Sequence, residues 1–202
     1  MATLIRHIPY NNADGHVQSN SSRVSGNIQF TFIQLGRSGP TGNLLRDSWL
    51  QFTDIAIPRA AKIISAVITY KARLSDSGAT CRMRIYGEAT ANATFPGTWA
   101  DYHPKPKTTA YTPWNPPAFV AETEYTTPNI GAVVQEIIDL PAWVSGYSLV
   151  ILPWENGGNS NTLRNPYDYF QDPAKAPFIT IDWVPAGMRG LGSGAMAELM
   201  LG

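Results

Sequence analysis

The chain has 202 residues, of which 15% are charged, well below the roughly 25% of an ordinary soluble domain. Fifteen Lys and Arg balance fifteen Asp and Glu, so no basic field exists to hold nucleic acid, while 44% apolar content suits one all-β domain, alone or with a tail. A single cysteine, Cys81, excludes an intrachain disulfide and a thiolate metal cluster, and the longest apolar runs, such as Leu149–Pro153, are far too short to span a bilayer.

Met1 to Tyr10 lacks the basic start, apolar stretch and small-residue cleavage site of a secretory signal. The expectation is a protein made and used without export, with residues 1–13 forming an N-terminal arm. Alternation then dominates. Ile28 to Leu35 alternates around Ile28, Phe30 and Phe32 and ends in a Gly-rich turn. Ser48 to Asp54 places Leu50 and Phe52 on one face. Lys62 to Leu74 is the clearest strand, with Ile64, Ala66, Ile68, Tyr70, Ala72 and Leu74 on one side. Ser75 to Gly78 reads as a hairpin-like connector to Thr80–Ala89, where Cys81, Met83 and Ile85 alternate with Arg82, Arg84 and Tyr86.

One segment has the other period. Ile130, Val133, Val134, Ile137 and Ile138 form a single helical stripe, predicting a short helix over about 129–139 that Pro141 stops. Gln135 and Glu136 fall on its polar side. Such a pair can bond backbone at a sheet edge, but the reading taken is solvated surface. Trp143 is expected to plug the helix end into the core. Tyr147 to Pro153 is continuously apolar, as in a central strand buried on both faces, and Phe178 to Val184 closes the domain. Strands separated by turns, with one helix, indicate an all-β fold: a jelly-roll β-sandwich over 14–184. Residues 185–202 change character. Met188, Leu191, Met196, Leu199, Met200 and Leu201 make an apolar, adaptable tail, expected to dock on its own domain or a neighbouring subunit.

Four stretches carry a family pattern: Asp14-Gly-His-Val17, Trp49 to Tyr70, Ile85 to Phe95, and Thr127 to Gly146. The last is the most specific, being long and of mixed composition. Together they resemble DNRLRE-type domains, jelly-roll sandwiches similar to carbohydrate-binding modules, across roughly residues 14 to 184. Members in secreted bacterial proteins carry a leader and sit beside catalytic domains. Similar sandwiches also occur as structural proteins of tailed-phage particles, a context that suits a low-charge chain with an apolar tail.

The remaining chemistry is sparse. His7, His16 and His103 have no ligand-spaced partner, and no Gly-x-Ser-x-Gly elbow or phosphate-binding loop is present. Cys81 alternates with core positions and reads as a small buried hydrophobe. Glu122 and Glu124 lie on one side of an extended segment, an arrangement open to acid–base pairing but ordinary for a solvated strand. Asp168 and Asp172 with Asn156, Asn159 and Asn161 are oxygen donors of the calcium-binding type, but lack the spacing of a calcium loop. No metal or cofactor is therefore expected. Aromatic residues carry more weight. Trp99, Tyr102 and Trp114 lie in a Pro-rich region, while Trp154, Tyr167 and Tyr169 flank an Asn/Gly-rich loop. Rings on loops stack on sugar faces, or hold the loops onto the core or a subunit contact.

The leading expectation is a non-enzymatic structural protein of a tailed-phage virion. It would contact other virion proteins and copies of itself, and neither nucleic acid nor membrane. The alternative is a carbohydrate-binding module or adhesin, secreted or at a cell surface.

Overall fold

A computed structural model describes residues 1–39, 44–76 and 78–186. The strands are β1 (Ala2–His7), β2 (Asp14–Asn20), β3 (Gly26–Gln29), β4 (Gly36–Ser38), β5 (Leu44–Phe52), β6 (Lys62–Lys71), β7 (Met83–Gly87), β8 (Thr112–Trp114), β9 (Glu124–Thr126), β10 (Leu149–Glu155) and β11 (Phe178–Val184). Helix α1 (Trp99–Tyr102) precedes β8, and α2 (Gly131–Ile138) precedes β10. They form a jelly-roll β-sandwich. The smaller sheet runs β1-β11-β6-β9; the larger runs β3-β2-β5-β10-β7-β8, with β4 also on β5.

The inner faces meet in an aliphatic core. Leu50 and Phe52 of β5, Ile85 of β7 and Ile151 of β10 face Ala66, Ile68, Ile179 and Ile181 of the smaller sheet, all fully buried. Each large aliphatic removed from water contributes roughly 1.5–3 kcal/mol before ordering costs. The tail residues Met188, Leu191, Met196, Leu199, Met200 and Leu201 lie outside the described residues. No helix among the described residues is long and apolar enough to cross a membrane.

Several expectations are corrected. Residues 2–7 are not a separate arm. They form β1, paired with β11 from Ala2↔Trp183 to His7↔Phe178, and Leu4 faces the core. An extended segment with one apolar side satisfies its backbone by completing its own sheet. The alternation of β6 slips at its start: Ile63 is buried and Ile64 is 42% exposed. The cause is a bulge at Ile64 itself: Ser65 pairs with Asp182 and Ile63 with Trp183, so β6 carries one extra residue there. The strand expected from Ile28 to Leu35 ends at Gln29, and Ile33 and Leu35 then enter the core without a continuous ladder. The chain after β6 makes no hairpin, because β6 and β7 belong to different sheets.

Helix α2 occupies the expected place, with Val133, Val134, Ile137 and Ile138 buried. Its polar side is not merely solvated. Gln135 Oε1 accepts the Ile63 N–H at 2.8 Å while its amide donates to the Ala61 carbonyl. Glu136 accepts the Thr109 and Ala110 N–H groups at 2.8 and 2.9 Å. The side chains of Asn129 and Thr127 likewise accept from Ala66 and Ile68. Residues 127–136 thus supply side-chain acceptors where β6 has lost its neighbour strand. Trp143 plugs in as expected, 3% exposed, with its indole N–H donating to the Ile57 carbonyl.

Candidate functional site

The outer face of the larger sheet is not left to water. Val17, Trp49, Val150 and Leu152 point outward from β2, β5 and β10 and are fully buried, because the segment joining β7 to β8 folds back over them. That segment turns at α1, which a Thr98–Asp101 capping box starts. The Tyr102 hydroxyl donates to the Ser48 carbonyl at 3.0 Å, and Lys105 pairs with Glu88 at 2.7 Å. Glycine is required where backbone meets ring. Gly15, at φ +157°, lies beneath the Trp49 indole, and a side chain at Gly26 would meet the Trp99 indole nitrogen and the Gln18 carbonyl.

The rings of this second cluster use one another. Tyr102 stacks on Trp154 at 5.7 Å between centroids, tilted by 7°. The Arg23 guanidinium lies 4.6 Å from the Trp154 centroid, and Lys107 Nζ 3.6 Å. Arg23 arrives from the β2–β3 turn in the left-handed region, at φ 53°. It binds the fully buried Asp47 through two bonds, of 2.8 and 3.1 Å. Asp47 also accepts the Glu155 N–H at 2.7 Å, and the Glu155 carboxylate is held by Arg37 at 2.6 Å. This ion network fills the place where β10 leaves β5. Burial works against the Arg23 charge, but the Asp47 bonds outweigh it and hold Arg23 above its usual value. Burial, then the fields of Arg23 and Lys107, push His103 below the ordinary histidine value.

Beside this cluster, the β2–β3 hairpin and the start of β5 border an open hollow of about 320 Å³. Its lining is Gln18, Ser19, Asn20, Ser25, Gly26, Asn27 and Leu44. The wall is made of amides, hydroxyls and one aliphatic, with no titratable side chain among these residues. Gly26 carries the half-buried Trp99 against the hollow's edge, and neither the Trp99 indole N–H nor the buried Ser19 hydroxyl has a hydrogen-bond partner among the described residues.

Of the aromatic candidates, Trp99, Tyr102 and Trp154 are therefore brought together. Trp114 is not. It faces the inner core, 5% exposed, stacked on Tyr70 at 5.5 Å. Tyr167 and Tyr169 belong to a different region. Tyr167 bonds Glu122, with Lys175 Nζ 4.5 Å from its ring centroid, and Tyr169 packs on the inner core. Glu122 is exposed and held by Tyr167, Lys175 and Lys71. The Tyr167 bond first, then Lys175, lower its pKa. Asn156, Asn159 and Asn161 are exposed, and Asp172 caps the Ala174 N–H.

The hollow's polar residues match no motif in the sequence. Their only signal is the unusually polar run Gln18-Ser-Asn-Ser-Ser-Arg-Val-Ser-Gly-Asn27, which reads equally well as an ordinary turn.

No protein-family model matches the chain, and no curated protein does. Among solved structures, it is similar to a family 35 carbohydrate binding module from Clostridium thermocellum: 9% identity, 90% of this chain and 98% of that one, TM-score 0.30. The cleaved adhesin domain K1 of Lys-gingipain from Porphyromonas gingivalis matches at 12% identity over 91% and 96%, TM-score 0.29. The C-terminal CBM6 of LamC from Zobellia galactanivorans matches at 14% over 89% and 98%, TM-score 0.27.

Proposed function

We propose that this chain is a non-enzymatic binding module that takes a saccharide in the hollow between the β2–β3 hairpin and the start of β5. The observation that carries the reading is the hollow itself: about 320 Å³, walled by Gln18, Ser19, Asn20, Ser25 and Asn27, with the half-buried Trp99 packed against Gly26 of its lining. A sugar presents hydroxyls, which amides and hydroxyls bond in both directions, and an apolar C–H face, which an indole complements. The volume is at the small end for ligand sites, near 300 Å³. A neutral wall suits recognition and supplies no group to move a proton.

Glycan-array screening followed by calorimetry tests this. Asn27→Ala and Trp99→Ala should each weaken binding at least about tenfold, the loss of one good contact. Trp114→Ala should act on stability instead, because its ring lies in the inner core. A protein that binds no glycan, or binds equally well with both hollow residues replaced, overturns the assignment.

A second reading keeps the virion role, a structural subunit of a tailed phage acting through contacts with other virion proteins and its own copies. The apolar composition of residues 187–202 supports it. Truncation after Ala186 should leave a folded domain that fails to enter particles. Incorporation at full occupancy would remove this reading and leave the sugar site untouched.

A further inference from the structure

Where the larger sheet runs out through β10, β7 and β8, its outer face carries cations that no acid offsets. Arg84 of β7 pairs directly with Trp154 of β10, so the two side chains share that face. The Arg84 guanidinium lies 4.8 Å from the centroid of Tyr111, the residue before β8, and Tyr111 packs on Tyr86 of β7 at 5.3 Å. Lys107 Nζ stands over Tyr86 as well as Trp154, at 6.0 and 3.6 Å from the two centroids. Shared rings therefore gather Arg84, Lys107 and Arg23 into one patch, half-buried except for Tyr111, which is 45% exposed.

Arg23 is neutralised by Asp47. Arg84 and Lys107 are not: among the described residues neither side chain has an ion pair or a hydrogen bond, only its ring contacts. The acids of β5 and β10, Asp47 and Glu155, and Glu88 just after β7 are buried and committed to Arg23, Arg37 and Lys105. The patch is thus positive in a chain whose formal charges sum to zero. Its rings are not bare platforms. Tyr102, Arg23 and Lys107 crowd Trp154, and Arg84 covers Tyr111, so a ligand meets cation heads before it meets ring faces. That order favours an anion over a neutral ligand that needs a free aromatic surface.

We infer that this face, centred on Arg84, Lys107 and Tyr111, docks an acidic segment of a partner protein. Charge complementarity selects the partner: a guanidinium lying on a tyrosine keeps its planar fork free for a carboxylate, and Lys107 supplies a second positive point. The site is a strand surface built of Tyr, Trp and Arg, the residues that dominate the binding energy of protein contacts. None of the residues lining the hollow takes part, so the inference stands apart from the sugar reading.

The test adds a fluorescent random copolymer of glutamate and tyrosine to the whole protein and follows its anisotropy. Saturable binding is expected at about 50 mM salt, weakening as added salt screens the charges. Arg84→Gln should weaken it at least about tenfold, and Arg84→Gln with Lys107→Gln should remove it. Arg84 makes no hydrogen bond in the fold, so Arg84→Gln should keep the thermal midpoint of the unaltered protein. Arg59→Gln with Lys62→Gln removes two exposed cations beside the start of β6 and should leave binding unchanged. Absence of saturable binding at low salt overturns the inference, as does equal weakening in the Arg59 and Lys62 variant, which marks diffuse attraction. Displacement by less heparin than unlabelled copolymer, lost in Arg84→Gln, overturns it in favour of a sulfated polysaccharide.

Discussion

The two faces of the larger sheet bury hydrophobic surface by different means. Toward the smaller sheet the contacts are Leu50, Phe52, Ile85 and Ile151 against Ile68, Ile179 and Ile181, and side-chain alternation alone specifies them. Away from it, Trp49 and Trp154 are covered by a segment with little ladder of its own, which brings in Tyr102 and is held by Thr98–Asp101, Tyr102–Ser48 and Lys105–Glu88 bonds, with the Arg23–Asp47 pair beside it. The first face depends on volume. The second depends on volume together with particular polar partners, and it borders the proposed sugar site.

The largest expected effects separate these dependences. Phe52→Ala opens a cavity in the inner core and should cost about 3–5 kcal/mol. Asp47→Ala removes no ring, yet it strands Arg23 and the Glu155 N–H, for a similar loss of about 3–5 kcal/mol. The double replacement Arg23→Met with Asp47→Leu should recover the part due to the stranded guanidinium, because buried pairs are replaceable by matched apolar groups, while the Glu155 N–H stays without its acceptor. Denaturant unfolding of the three proteins measures this. If the double variant is as unstable as Asp47→Ala, the ion pair is not what binds the β2–β3 turn to β10, and the contrast between the faces fails.

The same contrast explains what could be read from the amino acids. Alternation identified Ala66, Ile68 and Tyr70 as one face of β6, and the 3.6 period identified α2, since both signals are local. The slip at Ile63 and Ile64 is hidden because the bulge at Ile64 shows only in the pairing of β6 with Asp182 and Trp183, far along the chain. Gln135 and Glu136 were read as solvent-facing, since their partners at 61, 63, 109 and 110 are remote in sequence. Tyr147 to Pro153 did read as buried on both faces, the one hint that β10 lay beneath a second cluster. For the candidate site, residue type marked Trp99 and Trp154 as special. It could not tell them from Trp114, which differs in packing into the inner core and not the outer cluster. The hollow's amides and hydroxyls form a site through the pairing of β2 with β3, which no single residue announces.

The smallest expected effect concerns pH, and it falls on the outer face alone. His103 lies 4.6 Å from Trp99 and 5.7 Å from Trp154 between ring centroids, with its Nε2 unpartnered. The charged groups around it are Arg23 from the β2–β3 turn, Lys107 from its own segment, and Asp47 from β5, already committed to Arg23. Burial first, and then the two neighbouring cations, disfavour a proton on His103, which is why its pKa is depressed. In the unfolded chain the same imidazole titrates near its ordinary value of about 6.5. As the pH falls below that, the unfolded chain takes up the proton first, so His103 favours folding fully above about 6.5 and loses that contribution between there and its lower folded value. His16, lowered to about 4 by burial on the inner side, shifts stability in the same direction and must be subtracted. Comparing the unaltered protein with His103→Gln does so, because His16 is common to both. The acid-induced loss should be smaller in the variant, and the difference should appear as faster amide exchange in residues 88–108 and not in β6 or β11. Equal acid sensitivity in both proteins would mean that the ring cluster tolerates the extra charge, and that the outer face is no more dependent on particular polar partners than the inner one.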